Sequence, residues 1–400
     1  MRRGSSLRPA ITLFPIILLL TACASLLRQP APTDRPPPTF EGFDTIRYYP
    51  VVSGFGLPDL TDAYRIETPD QYETEPDGTI VYNYLALSGG GSAGAFGAGI
   101  LNGWTAKGDR PKFKVVTGVS TGALIATFAF LGPDYDDELK EAYTTIDATH
   151  IFIARSLFHL IWSESATDNK PFQDMIAKYI TDDTLDAVAA EHKKGRRIFI
   201  MSTDLDREVP VVWDLGAIAS SSSPRRLSLY RQVVLASASI PAVFPPVLIQ
   251  VMVDGKPRDE LHVDGGVFAQ SFFIGNALDL KKTVHDAHPD WNKDAIQRLY
   301  VIRNGRIDSQ TRETRRTLGS ISANSISSML KVSGINDLYR LYVGQLTGEL
   351  EFYYVAFPRG YMPASAEEFN KEEMNQEYNL GYKMGSEGVP WERLPPGYRP

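Results

Sequence analysis

The stretch KFKVVTGVSTGALIATFAFL, Lys112 to Leu131, decides the fold. Lys112 to Thr117 is rich in β-formers and reads as a strand, and Thr121 to Leu131 is an apolar run that reads as a helix. Between them stand Gly118, Val119, Ser120, Thr121 and Gly122, a GxSxG pattern in a strand–turn–helix setting. Such a sharp turn holds its serine at the top of a sheet, and the flanking glycines leave room for an approaching substrate. The helix N-terminus behind the serine favours the negative charge that develops in acyl transfer. The same small residues also suit a simple helix N-cap, with Ser or Thr satisfying free amides.

Upstream, Ile80 to Leu87 alternates and reads as a strand, and Ala93 to Thr105 reads as a helix. Strand–helix–strand–helix order implies an α/β fold with a parallel sheet covered on its faces. The loop joining the first pair is Gly89-Gly90-Gly91-Ser92-Ala93-Gly94. Three readings fit it: a dinucleotide fingerprint, an oxyanion loop of exposed N–H groups, or glycines for tight packing. A dinucleotide site wants an acid at the end of the second strand, where Thr117 to Ser120 supply none.

Downstream, Arg197 to Ser202 and Val209 to Trp213 read as strands. Val247 to Val253 and Glu260 to Val263 read as a hairpin turning at Asp254-Gly255. Asp264, Gly265 and Gly266 follow, either an acid pointing into a cleft or a plain turn. Leu299 to Arg303 is a further strand, Ile321 to Leu346 a helical run, and Leu350 to Phe357 a strand before a polar tail.

Composition bounds the function. The chain has 400 residues, 43% hydrophobic and 22% charged, which excludes wholesale disorder. A net charge of −7 argues against a dedicated nucleic-acid binder. The single cysteine allows neither an intramolecular disulfide nor a cysteine metal cluster. That cysteine, Cys23, follows Arg2, Arg3 and Arg8, the apolar run Ala10 to Leu20, and Thr21-Ala22. The pattern is similar to the lipobox of bacterial lipoproteins, with residues 1–22 as the signal peptide and Cys23 as the acylated new N-terminus. Ala24 rather than Asp implies, by the same resemblance, export to the outer membrane. Leader removal takes away three arginines and no acid, so proximity to lipid rests on the acyl anchor.

Taken together, the blocks GGGSAG (89–94), GVSTG (118–122), ASASIPAVFPP (236–246) and DGG (264–266) resemble the patatin-like phospholipase family in kind, order and spacing. The resemblance covers roughly Val81 to Arg303. It implies a three-layer α/β/α fold with a mainly parallel central sheet, plus a mostly helical C-terminal region. The implied organisation is a leader (1–22), a proline-rich tether and irregular lead-in (23–79), a catalytic domain (80–305) and the C-terminal region packed on it (306–400). It implies a Ser–Asp dyad, with Ser120 as nucleophile and Asp264 as general base. The amides of Gly89, Gly90 and Gly91, helped by Thr121, form the implied oxyanion hole, and Gly94, Gly118, Gly122, Gly265 and Gly266 are the motif glycines. The activity implied is hydrolysis of acyl esters in membrane lipids, without metal or organic cofactor. Two departures stand out: Ala93 sits where the family carries Arg or Lys, and Gln270 where it often has Asn.

Three alternatives compete: a Ser–His–Asp esterase, a catalytically silent lipid-binding envelope lipoprotein, and a nucleotide-binding module. For the first, His285 and His288 follow Asp264 but sit in an amphipathic, solvent-facing helix, and His262 reads as structural. Asp204 and Asp206 read as a strand-end turn rather than a cation site. His150 to Trp162 reads as a core helix or an acyl-chain wall. Arg312, Arg315 and Arg316 form a small basic cluster, read as a solvated helix face or a headgroup contact.

Overall fold

The computed structural model describes residues 28–399, apart from residues 44, 51–59, 69, 70, 72, 155–164, 166, 275–278, 292, 293, 310–312, 349 and 366. The leader, Cys23, Arg312 and most of the apolar stretch after His150 lie outside the described residues.

Eight strands carry the architecture: β1 (Ile80–Leu87), β2 (Phe113–Val119), β3 (Arg197–Asp204), β4 (Val209–Asp214), β5 (Val247–Val253), β6 (Lys256–Asp264), β7 (Ile296–Ile302) and β8 (Glu351–Val355). The order β3-β2-β1-β7-β8 is parallel throughout, and β4 joins β3 antiparallel. The β5–β6 hairpin turns at Asp254 and Gly255, both left-handed, and attaches antiparallel to the end of β3. Two positive φ values in a two-residue loop are what a tight hairpin of this twist requires.

Side chains alternate strictly across the sheet. Leu85, Leu87, Val116, Ile198 and Ile200 enter one apolar cluster, while Tyr84, Ala86, Val115, Phe199 and Met201 enter the other. The first cluster is covered by helices α1 (Gly94–Lys107), α2 (Thr121–Leu131) and α3 (Arg226–Ser237). The second is covered in part by the C-terminal half of α4 (Leu318–Leu346). This is the three-layer α/β/α arrangement, with a mainly parallel sheet, that the resemblance implies.

The C-terminal region is continuous with the domain it covers. β8 extends the main sheet, with Phe352 and Tyr354 buried. The polar tail holds a further helix, α5 (Lys371–Gly388), laid directly on α1. Contact there is backbone to backbone: a Cβ on Gly381 would meet the Phe96 carbonyl at 2.2 Å, and one on Gly99 the Tyr378 carbonyl at 2.1 Å. The proline-rich lead-in is also pinned. Ala31 N–H donates to the Asp259 carbonyl at 2.8 Å, and Arg28 is held by Asp206 and Asp259.

Candidate active site

The parallel strands end together, so whatever follows them gathers at one edge. Gly118 on β2 pairs with Leu87 on β1, and Asp264 on β6 pairs with Ser202 on β3. The glycine loop, Ser120 and Asp264 therefore converge although 175 residues of chain separate the first from the last.

Ser120 stands between β2 and α2 with φ 55° and ψ −126°. A non-glycine residue there is strained by about 1–3 kcal/mol and persists only when its surroundings enforce it. Several contacts do so. The Ser120 N–H donates to Ser237 Oγ at 3.0 Å, and Ser237 Oγ in turn donates to the Met201 carbonyl at 2.7 Å. A Cβ on Gly122 would fall 2.5 Å from the Leu87 carbonyl, and one on Gly118 would fall 2.3 Å from the Gly122 carbonyl. Those obstacles are backbone, so neither position admits a side chain without rebuilding the turn. Gly122→Ala is expected to destabilise the protein by about 1–3 kcal/mol, and thermal denaturation alongside an ester assay checks it.

Asp264 is buried. Oδ1 accepts from the Gly266 N–H at 2.6 Å, while Oδ2 makes no hydrogen bond of full geometry. Burial pushes its carboxyl up to about 7, against the pull of the neighbouring Ser120 hydroxyl and the Gly266 amide toward the charged form. Ser120 thus sits close enough to bias the carboxylate's ionisation without a closed hydrogen bond. Such contacts commonly tighten only in the substrate complex. The Asp264 N–H donates to the Ser239 carbonyl at 2.9 Å. The 236–246 block therefore holds both residues, Ser120 through Ser237 and Asp264 through Ser239. Neither serine carries a local signal for this task, because its partner lies far along the chain.

The glycine loop turns tightly against Asn304. A Cβ on Gly90 would meet the Asn304 carbonyl at 1.9 Å, and Gly91 has φ 57°. Asn304 is tied back by its N–H to Ser88 Oγ and its Nδ2 to the Ser88 carbonyl, both at 2.8 Å. The implied oxyanion hole needs one adjustment in this structure. The Gly89 N–H already donates to the Gln270 carbonyl at 2.9 Å, which leaves Gly90 and Gly91 as that loop's donors. Gln270 also donates from Nε2 to the Gly266 carbonyl at 3.1 Å. It thereby joins the DGG turn to the glycine loop. Gly94 lets α1 cross the start of α2, since a Cβ would meet Thr121 Oγ1 at 2.2 Å. A Cβ on Gly265 would meet the Met201 carbonyl at 2.3 Å, which packs the DGG turn against β3.

Ser120 and Thr121 help to line a cavity. Its walls are apolar, including Leu124, Ile146, Phe172, Met175 and Phe244. Phe369 of the C-terminal region closes one side, packed edge-on to Phe152 at 6.2 Å. Next to it, Ser92 Oγ donates to Glu368 at 3.0 Å, linking this segment to the glycine loop. Phe369 was invisible to sequence reasoning because nothing local marks a residue that far along the chain.

The histidines lie elsewhere. His262 is fully buried, bonded to Ser202 Oγ at 3.0 Å and facing Glu260. His288 stacks on Trp291, and His285 is exposed. Among the described residues no histidine bonds to Ser120 or Asp264. Asp204 caps a turn, Oδ1 accepting from the Asp206 and Arg207 amides.

The model of a family described as patatin-like phospholipase matches residues 85–275. None of the curated proteins matches the chain. Among solved structures, VipD from Legionella pneumophila is 12% identical, with 79% of this chain and 69% of that one covered and a TM-score of 0.38. A chain of the SpcU–ExoU complex from Pseudomonas aeruginosa is 13% identical, with 80% and 62% covered and a TM-score of 0.24. The matched segment holds the glycine loop, the strained serine and the DGG turn, and the chain accordingly carries a patatin-like phospholipase domain, from a family of lipid hydrolases.

Proposed function

We propose that the chain hydrolyses acyl esters of membrane lipids through Ser120 and Asp264. The observation that carries this is the strained Ser120, held beside a buried carboxylate and facing an apolar cavity. Asp264 accepts the Ser120 proton as the oxygen attacks the ester carbonyl. The amides of Gly90, Gly91 and Thr121 stabilise the developing oxyanion, helped by the N-terminus of α2. The alcohol leaves with the proton returned by Asp264, and water then releases the acid from the acyl-enzyme. A silent lipid-binding protein would have no use for the strain at Ser120. The test is free fatty acid released from mixed phospholipid vesicles by the purified protein. Release supports the reading, and none from phospholipid or simple esters overturns it.

Only the ionised carboxylate is a base, and its titration lies near 7. The value of kcat/KM is therefore expected to rise as pH increases through about 7 and then level. A profile flat from pH 5 to 9 would remove Asp264 from the role.

The reading includes acylation at Cys23 and attachment to the bacterial envelope at the outer membrane. Cys23→Ser is expected to stop incorporation of labelled fatty acid and to make the protein extractable from membranes by high salt. Unchanged labelling sinks the lipoprotein assignment.

A further inference from the structure

The loop after β7 leads into α4, a helix of 29 residues whose fully buried residues, among those described, all lie from Gly334 onward. Gly334 lies against the Arg303 guanidinium, and Asp337 accepts from the Gln270 and Ser271 amides at 2.7 and 3.0 Å. Those partners sit just past the strand ends, level with the site. Leu338, Leu341 and Tyr342 then descend along the sheet face and are buried. The helix runs down to β8, so its preceding turns project beyond the edge that carries Ser120. At 1.5 Å per residue, residues 318–333 form a segment about 24 Å long.

This projecting part is largely exposed, with Ser320, Asn324, Leu330, Lys331 and Ser333 half-buried, but it is not polar. Leu318, Ile321, Met329 and Val332 fall on one side at helical spacing, with Leu318 85% and Met329 71% exposed. The opposite side carries Ser320, Asn324 and Ser327. The charge is also unlike the rest of the chain. From Arg315 to Leu346 the basic residues are Arg315, Arg316, Lys331 and Arg340, and the sole acid is Asp337, in a chain of net charge −7. No described helix is long and apolar enough to cross a membrane. An apolar stripe with Arg315 and Arg316 at its outer end has the character of a helix that lies in a bilayer interface.

We propose that the projecting half of α4 docks on an anionic phospholipid bilayer and holds the Ser120 edge against it. The occupant follows from charge complementarity and from the stripe's position beside the site. The orientation rests on the lipid-hydrolase reading, whereas the docking itself is measurable without turnover.

The test uses the Ser120→Ala chain with a single new thiol, Met329→Cys or, on the opposite side, Ser327→Cys, labelled with an environment-sensitive fluorophore. Vesicles of phosphatidylglycerol and phosphatidylcholine are added, then phosphatidylcholine alone. The expected result is a blue shift at residue 329, much smaller at residue 327, and weakened without the anionic lipid. In the active chain, Met329→Glu is expected to lower vesicle turnover by roughly tenfold and leave a soluble short-chain ester untouched. No shift at residue 329, equal shifts at both positions, or a shift that grows with protein concentration without vesicles overturns the proposal. The last outcome would assign the stripe to a second copy of the chain. A vesicle-dependent shift in a protein that hydrolyses nothing would keep the docking and discard the hydrolase.

Discussion

Ser120→Ala is expected to reduce fatty-acid release by about 10⁴-fold or more, to the background of the vesicle assay. The oxygen removed is the one placed at the head of α2, above the cavity. The fold should persist. Alanine keeps the Cβ, so the left-handed strain at φ 55° is neither relieved nor increased. The bond that fixes the turn is made by the residue's backbone, through its N–H to Ser237 Oγ, and survives the change. The measurement is fatty-acid release with thermal denaturation of the same samples. Activity above about a tenth of wild type, in a folded variant, would move the nucleophile elsewhere.

Asp264→Asn should lower kcat by about 10²–10⁴-fold, the usual worth of a positioned base. The amide oxygen can still accept from Gly266, so the turn keeps its geometry. What is lost is the ability to take a proton. The same substitution should also stabilise the protein, and the sign follows from the titration. The folded carboxyl titrates near 7, well above its ordinary value of 3.8. Between those pH values the folded state binds more protons than the unfolded chain, so stability falls as pH rises through that interval. Asparagine removes the penalty of a buried charge. It should therefore gain a few kcal/mol over wild type at pH 8, and the gain should vanish near pH 4. Denaturant unfolding at the two pH values measures it. A variant less stable than wild type at pH 8 would show that the charge is compensated in a way the present geometry lacks. Fully retained kcat would take the base role from Asp264.

Much of the catalytic half was legible without coordinates. β2, the turn at Ser120 and α2 follow from β-formers, a GxSxG turn and an apolar run, all signals carried within a few residues. The β5–β6 hairpin follows from Asp254-Gly255, because two positive φ values are cheap only for such residues. The family resemblance, resting on four blocks in order, then named the residues to look for. Beyond β7 the local signals weaken. α5 is hidden in a polar tail because it packs by glycines, and close backbone approach leaves no hydrophobic period to read. α4 is visible as a helix, yet its pattern alone does not reveal that the apolar stripe faces solvent, since burial depends on what else packs nearby.

The sequence by itself determined the elements that depend on near neighbours: the strand–serine–helix turn, the glycine loop, the tight hairpin, the alternation that makes both sheet faces apolar, and the negative charge that argues against a nucleic-acid role. Only the tertiary structure decided what meets across long separations. It brought Asp264 to Ser120, set Ser237 behind the serine amide, gave the Gly89 N–H to Gln270, placed Phe369 in the cavity wall and added β8 to the sheet. The physical reason is range. Turn chemistry and periodicity act over two to four residues and are written into the local chain. Strand order and cavity walls arise from packing among distant faces, which no single stretch of sequence contains.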